Sequence, residues 1–264
     1  MLEDLNYRFS TAQPTSRLAD AGILLHMFDQ GEMSGVGFYA RDGKLPDGAV
    51  QYGFSYDPWL PCPNGMWCHT TNDRLSASLI NKHFLERAAA NGNAGATNVL
   101  FTVGPGIVLN PALVETFCMF IGDGGTMAEA DNHGCSARAW CDPTDVSGGR
   151  NDHQCPWRPS DLEAFMKAYT AKPFGYNEVV VDTAGWATKL PELIQAFVWF
   201  EGGPGGSGEG EAQARAVHNG FMKAHPDATT RLLKVNLKQL DAPFVEVPSG
   251  ANDAVEVWVG VAPK

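Results

Sequence analysis

Two carboxylates stand four residues apart in the segment Tyr176-Asn177-Glu178-Val179-Val180-Val181-Asp182. Paired acids perform glycoside hydrolysis, one as acid or base and the other as nucleophile or water activator. The β-branched run predicts a strand, and strand alternation puts Tyr176, Glu178, Val180 and Asp182 on one face. At about 3.3 Å per residue, Glu178 and Asp182 lie ~13 Å apart. That exceeds the ~5–9.5 Å between the carboxylates of a glycosidase pair. The two are therefore not each other's partners. Glu178 is the candidate catalytic carboxylate, with a second acid drawn from Asp123, Asp142, Asp152 or Asp182. The non-catalytic alternative has Glu178 holding a neighbouring loop and Asp182 ending the strand.

The cysteines are a second reactive set. Cys62, Cys68, Cys118, Cys135, Cys141 and Cys155 all lie in the first 155 of 264 residues. An even count predicts a disulfide framework, with fifteen possible pairings. Cys62 and Cys68 are close enough for a local bridge, and the other four can form two more. Zinc is the rival chemistry. His133-Gly134-Cys135 and His153-Gln154-Cys155 repeat an H-x-C spacing around Cys141, and zinc takes four such ligands. The usual C-x₂₋₄-C pair is missing, so no metal is expected. Disulfides imply an oxidising compartment, extracellular or an organelle lumen. The first 20 residues lack a basic stretch followed by an apolar core. A targeting segment is therefore expected to be absent from this sequence.

Four tryptophans accompany the cysteines: Trp59, Trp67, Trp140 and Trp157. Exposed indole rings beside Asp and Asn suit stacking on sugar rings, which points to a glycan or a protein surface as partner. The alternative is that they pack over the disulfides as small cores.

The motif Tyr176-Asn177-Glu178, followed by its β-branched run, resembles the strand carrying the catalytic glutamate of ADP-ribosyltransferases of the poly-ADP-ribose polymerase type. Leu24-Leu25-His26 and Gly37-Phe38-Tyr39-Ala40 are loosely similar to that family's early segments, although no glycine follows His26. The resemblance implies that His26 and Tyr39 would hold NAD. Glu178 would stabilise an oxocarbenium-like transition state.

Other chemistries find less support. A net charge of −11 without a basic stripe disfavours nucleic acid, whose binding rests on neutralising phosphates. No apolar run approaches the ~20 residues of a membrane helix, so no membrane insertion is expected. Residues 202–210 lack the Lys and Ser/Thr of a phosphate-binding loop, and no strand–loop–helix with G-x-G-x-x-G is expected there. No cofactor is expected from the motifs. Nothing in the sequence reads out the oligomeric state.

These groups need a scaffold. Strands are predicted over 22–28, 35–40, 49–56, 97–109, 176–182, 194–200, 231–237, 243–247 and 254–262. Leu75, Leu79, Ile80 and Phe84 share a helical face, which predicts a helix from Asp73. A short helix over 111–120 would carry Cys118. A further helix opens at Ser160, with Ser160 and Glu163 as a capping box, and another spans 211–225. Strands outnumber helices without alternating regularly. The expected class is α+β, a largely antiparallel sheet with about four helices. The chain reads as a single domain, 1–264, with cysteine-bearing loops at 57–72 and 122–159. A flexible Gly-rich loop is expected at 201–210.

Overall fold

The computed structural model describes residues 2–10, 14–27, 74–83, 106–122, 135, 139–145, 155–171, 177–182, 189–201, 211, 214–215, 218–219, 221–222, 225–236, 239 and 241–249. Eight strands form one sheet: β1 (Ile23–Met27), β2 (Arg74–Ile80), β3 (Gly106–Leu109), β4 (Thr116–Phe120), β5 (Glu178–Asp182), β6 (Ile194–Glu201), β7 (Arg231–Asn236) and β8 (Phe244–Glu246). Their spatial order is β4-β5-β2-β1-β3-β6-β7-β8. Every neighbouring pair is antiparallel except β6 and β7. Four α-helices have defined bounds: α1 (Leu2–Ser10), α2 (Leu18–Ala21), α3 (Leu162–Ala171) and α4 (Leu190–Leu193). Described residues between 211 and 222 are also helical. They link β6 to β7, and a parallel pair requires a crossover of this kind. The architecture is the expected α+β.

Two elements differ from the sequence reading. Residues 74–80 are strand β2, not the start of a helix. Leu75, Ala77 and Leu79 satisfy a period of two as well as Leu75, Leu79 and Ile80 satisfy 3.6. Lying between β1 and β5 decides the matter, because both edges of β2 then find backbone partners. Cys118 lies on strand β4, not on a helix, in a Thr-Phe-Cys-Met-Phe run of β-forming residues. The capping box also does not form. A 3₁₀ turn over Pro159–Asp161 precedes α3, and Arg158 at its N-cap makes no side-chain cap bond. The Ser160 hydroxyl donates to Asp161 Oδ1 (3.3 Å), and Glu163 instead pairs with Lys167 (2.7 Å). The predicted strands over 35–40, 49–56 and 254–262 and the Gly-rich loop lie outside the described residues, apart from Glu201.

Register fixes two faces. Val179 pairs with Ala77, Leu79 with Leu24, and His26 with Ile107. Residues two apart share a face, so Val179, Val181, Leu24 and His26 all point the same way. Ile107 in turn pairs with Phe197. This first face is covered by α3, whose Leu162, Phe165, Met166 and Tyr169 are buried, and by the described helical residues near Ala214, His218 and Phe221. Phe197 meets Phe221 at 5.4 Å between ring centroids. The second face carries Glu178, Val180, Phe200 and Phe244. At the β8 end it is closed by α1, where Phe9 packs edge-on to Phe244 at 5.4 Å. At the β4 end it carries the Cys118–Cys135 disulfide, in a separate cluster with Phe120 and Val180.

Two asparagine side chains stand in for missing backbone partners. The Asn177 amide donates to the Leu79 carbonyl and accepts from the Leu79 N–H, both at 2.8 Å, just before β5 begins. Asn6 of α1 does the same for Phe244 at the outer edge of β8, at 3.5 and 2.9 Å. Gly22 enters β1 at φ 158°, and a Cβ there would lie 2.6 Å from the Ile80 carbonyl oxygen. Only glycine allows this close strand approach.

Candidate functional site

The outer edge of β4 is extended by a short stretch of chain. Met119 and Trp157 exchange both backbone bonds: the Met119 N–H donates at 3.0 Å and the Trp157 N–H at 2.7 Å. One step further out, the Cys141 N–H donates to the Pro156 carbonyl at 2.9 Å. The Cys141–Cys155 disulfide locks the same two segments, with Cα atoms 5.2 Å apart. Residues 139–145 are thus tied to 155–158, and 155–158 to the sheet. We call this arrangement the clasp. Inside it, the Asp142 carboxylate accepts from the Thr144 N–H (2.8 Å) and hydroxyl (2.7 Å), which sets a tight turn.

The clasp sorts its two tryptophans. Trp157 bridges to Met119, so its side chain follows Met119 onto the first face, where it is fully buried against Phe165 at 6.2 Å. It fills the core beneath the disulfide and offers no surface for stacking. Trp140 is 40% exposed. The Arg158 guanidinium lies 5.2 Å from the centre of its ring. A cation over an indole face is worth about 0.5–1 kcal/mol at an exposed site, and it pre-orients both groups. The clasp therefore presents a flat aromatic ring and a planar five-donor cation, side by side on a cross-linked frame. Together these can stack on an apolar ring face while donating to hydroxyl or carboxylate oxygens.

The two bonded pairs among the described residues, Cys118 with Cys135 and Cys141 with Cys155, are ones that the counting argument allowed. Their sulfurs are thereby removed from zinc ligation. Among the described residues, no cluster of three or more His, Cys, Asp or Glu could hold a metal. Cys62, Cys68, Trp59, Trp67 and Tyr39 lie outside the described residues, as do His133, His153, Asp123 and Asp152. Two disulfides fit an oxidising compartment. Among the described residues, no helix is long and apolar enough to cross a membrane.

Glu178 is 1% exposed on β5, the only buried carboxylate among the described residues. It pairs in register with Phe120, and its face neighbour Val180 pairs with Cys118. Asp182, at the far end of β5, is half-buried and donates its backbone N–H to the Glu115 carbonyl at 2.7 Å. The spacing expected from the strand keeps the two acids apart. His26 is buried on β1. By the register above it projects from the opposite face of the sheet to Glu178, so the two do not converge on one cavity.

Arg158 was not anticipated from the sequence. Its contact with Trp140 exists only because the clasp brings residues 18 apart in the chain together, and no local pattern signals that. Comparison with known proteins finds no matching family model, no matching curated protein and no matching solved structure. Function is therefore argued from the site alone.

Proposed function

We propose that this protein is a disulfide-stabilised binding protein that docks a glycan on the clasp, with Trp140 stacking on a sugar ring and Arg158 donating to its oxygens. The observation that carries this reading is the exposed indole held beside a guanidinium on a doubly tied frame. Preorganisation lowers the ordering cost of binding, which otherwise consumes about 0.5–1.5 kcal/mol per immobilised side chain. Screening on a glycan array, followed by calorimetry on the best hit, tests it. Trp140→Ala and Arg158→Ala should each weaken binding about 5- to 30-fold, the equivalent of ~1–2 kcal/mol. Retention of full affinity by both variants would sink the proposal.

A second reading keeps Glu178 as the catalytic carboxylate of a glycan-acting enzyme. It is favoured by one feature, a fully buried acid at the start of an interior strand, β5. Burial of this kind is where enzymes tune acids for proton transfer. Glycan turnover that survives Glu178→Gln unchanged would dismiss it.

A further inference from the structure

Arg158 differs from the other arginines whose side chains are described. Arg8 donates to Gln195, and Arg17, Arg215 and Arg231 face Asp20, Glu211 and Glu246. The Arg158 guanidinium makes no hydrogen bond and no ion pair among the described residues. Its neighbour is the Trp140 ring, with 5.2 Å between the guanidinium carbon and the ring centre. The chain has 30 acidic residues against 19 basic ones, so acids are not scarce. The five N–H donors of Arg158 are open to a ligand.

The clasp fixes where these donors sit. Trp157 turns inward, and alternation along an extended stretch sends its neighbour Arg158 outward, where it is exposed. Trp140 directly precedes Cys141, whose N–H and disulfide hold it to Pro156 and Cys155. Trp140 keeps 40% exposure with the guanidinium beside it, so aromatic surface remains for another ring to cover. A cation already held at an indole loses less freedom on taking up a ligand than one that swings free in water.

We propose that the sugar docked on Trp140 is a uronic acid, a pyranose bearing a carboxylate. This inference rests on the glycan reading and names the chemical class of the glycan. The guanidinium is a rigid planar fork that matches the two oxygens of a carboxylate, and such a charge-assisted pair is roughly twice as strong as a neutral hydrogen bond. In a uronic acid the carboxylate is bonded directly to the pyranose ring. A ring resting on the indole therefore brings it to the neighbouring cation. A neutral hexose has a hydroxyl group at that place and leaves the charge unanswered. The net charge of −11 does not forbid an acidic ligand, because exposed charges more than about 8 Å apart are largely screened at physiological salt.

The probes are tetrasaccharides of galacturonate, mannuronate and hyaluronan, each titrated calorimetrically into the whole protein beside its carboxyl-reduced counterpart. A 6-sulfated galactan tetrasaccharide tests whether any anion serves. At least one uronate should bind about tenfold or more tighter than its reduced form and than the sulfated probe. Arg158→Gln should bring the ratio of acid to reduced form close to one, and Arg158→Lys should restore only part of it. Trp140→Ala should weaken both members of the pair by a similar factor. Both positions are exposed, and circular dichroism checks that each variant stays folded. Equal binding of acid and reduced forms overturns this inference and leaves glycan docking standing. So does a preference that survives Arg158→Gln, or equal binding of the sulfated probe. Binding to none of the probes overturns it as well, and a blank glycan array would remove the glycan reading with it.

Discussion

The two edges of the eight-stranded sheet face one problem and solve it differently. An edge strand exposes unpaired N–H and C=O groups that invite association with another chain. At β8 the answer is a single side chain: Asn6, carried by α1, satisfies both outward groups of Phe244. Phe9 then seals the corner against Phe244. At β4 the answer is covalent. Residues 155–158 pair with Met119, residues 139–145 pair with them, and a disulfide holds the stack. A helix brings its own hydrogen bonds and an apolar stripe, so α1 needs only packing to stay in place. The clasp segments have few internal backbone bonds, and Pro143, Pro156, Asp142 and Asp145 suit turns rather than regular structure. Their ordering entropy must be offset by cross-linking and by burying Trp157. The binding surface we propose lies on the covalent edge, where irregular chain is held still enough to present Trp140 and Arg158.

The contrast can be broken from either side. The largest effect is expected at β4. Replacing Cys141 and Cys155 together by Ser reopens a loop with a sequence separation of 14 and should cost about 3 kcal/mol in denaturant unfolding. Amide exchange at Met119 should accelerate while that at Phe244 stays unchanged. Equal acceleration at both edges would mean that the edges are not stabilised independently.

A smaller effect is expected at β8. Asn6→Ala removes two side-chain bonds to Phe244 and should cost roughly 1–2 kcal/mol, with faster exchange confined to the Phe244 amide. A loss as large as that at the clasp would show that α1 docking depends on this amide and not on Phe9.

The smallest effect concerns pH. Burial lowers the pKa of His225, whose ring lies 4.7 Å from Phe221. A lowered folded-state pKa means that the unfolded chain binds the proton more readily. Stability is therefore fully present above the unfolded value of ~6.5 and declines as pH falls through the folded-state pKa. The side chain is only partly buried, so the slope should be shallow. His225→Gln should flatten it, as measured by denaturant midpoints between pH 7 and about pH 5. An unchanged slope would place the pH dependence on other groups.

Much of the fold was legible locally. The run Ile194–Glu201 and the triple valine of β5 carry strand patterns strong enough to need no context. The stripe Leu162, Phe165, Met166 and Tyr169 is the buried face of α3. His218 falls four residues after Ala214 and three before Phe221, which already places it on the apolar side of its helix. Other elements were not legible. Leu75, Leu79 and Ile80 fit both periods, and only the neighbours β1 and β5 choose between them. The parallel pairing of β6 with β7 has no local signal, because the crossover between them sets its direction. α1 is short and polar on average, marked only by Glu3 and Asp4 in its first turn and Arg8 in its last.

By itself, the sequence determined the alternation along β5, the separation of Glu178 from Asp182 and the capacity for cross-links. These depend on bond geometry and residue type within a few positions of each other. Tertiary structure alone decided that Trp157 turns inward and Trp140 outward. It also decided that Cys118 joins Cys135, and that His26 and Glu178 look out from opposite faces of one sheet. Each of these outcomes is a contact, or a missing contact, between residues distant in the chain. Such contacts are settled by register and burial over the whole sheet, which no local window of sequence contains.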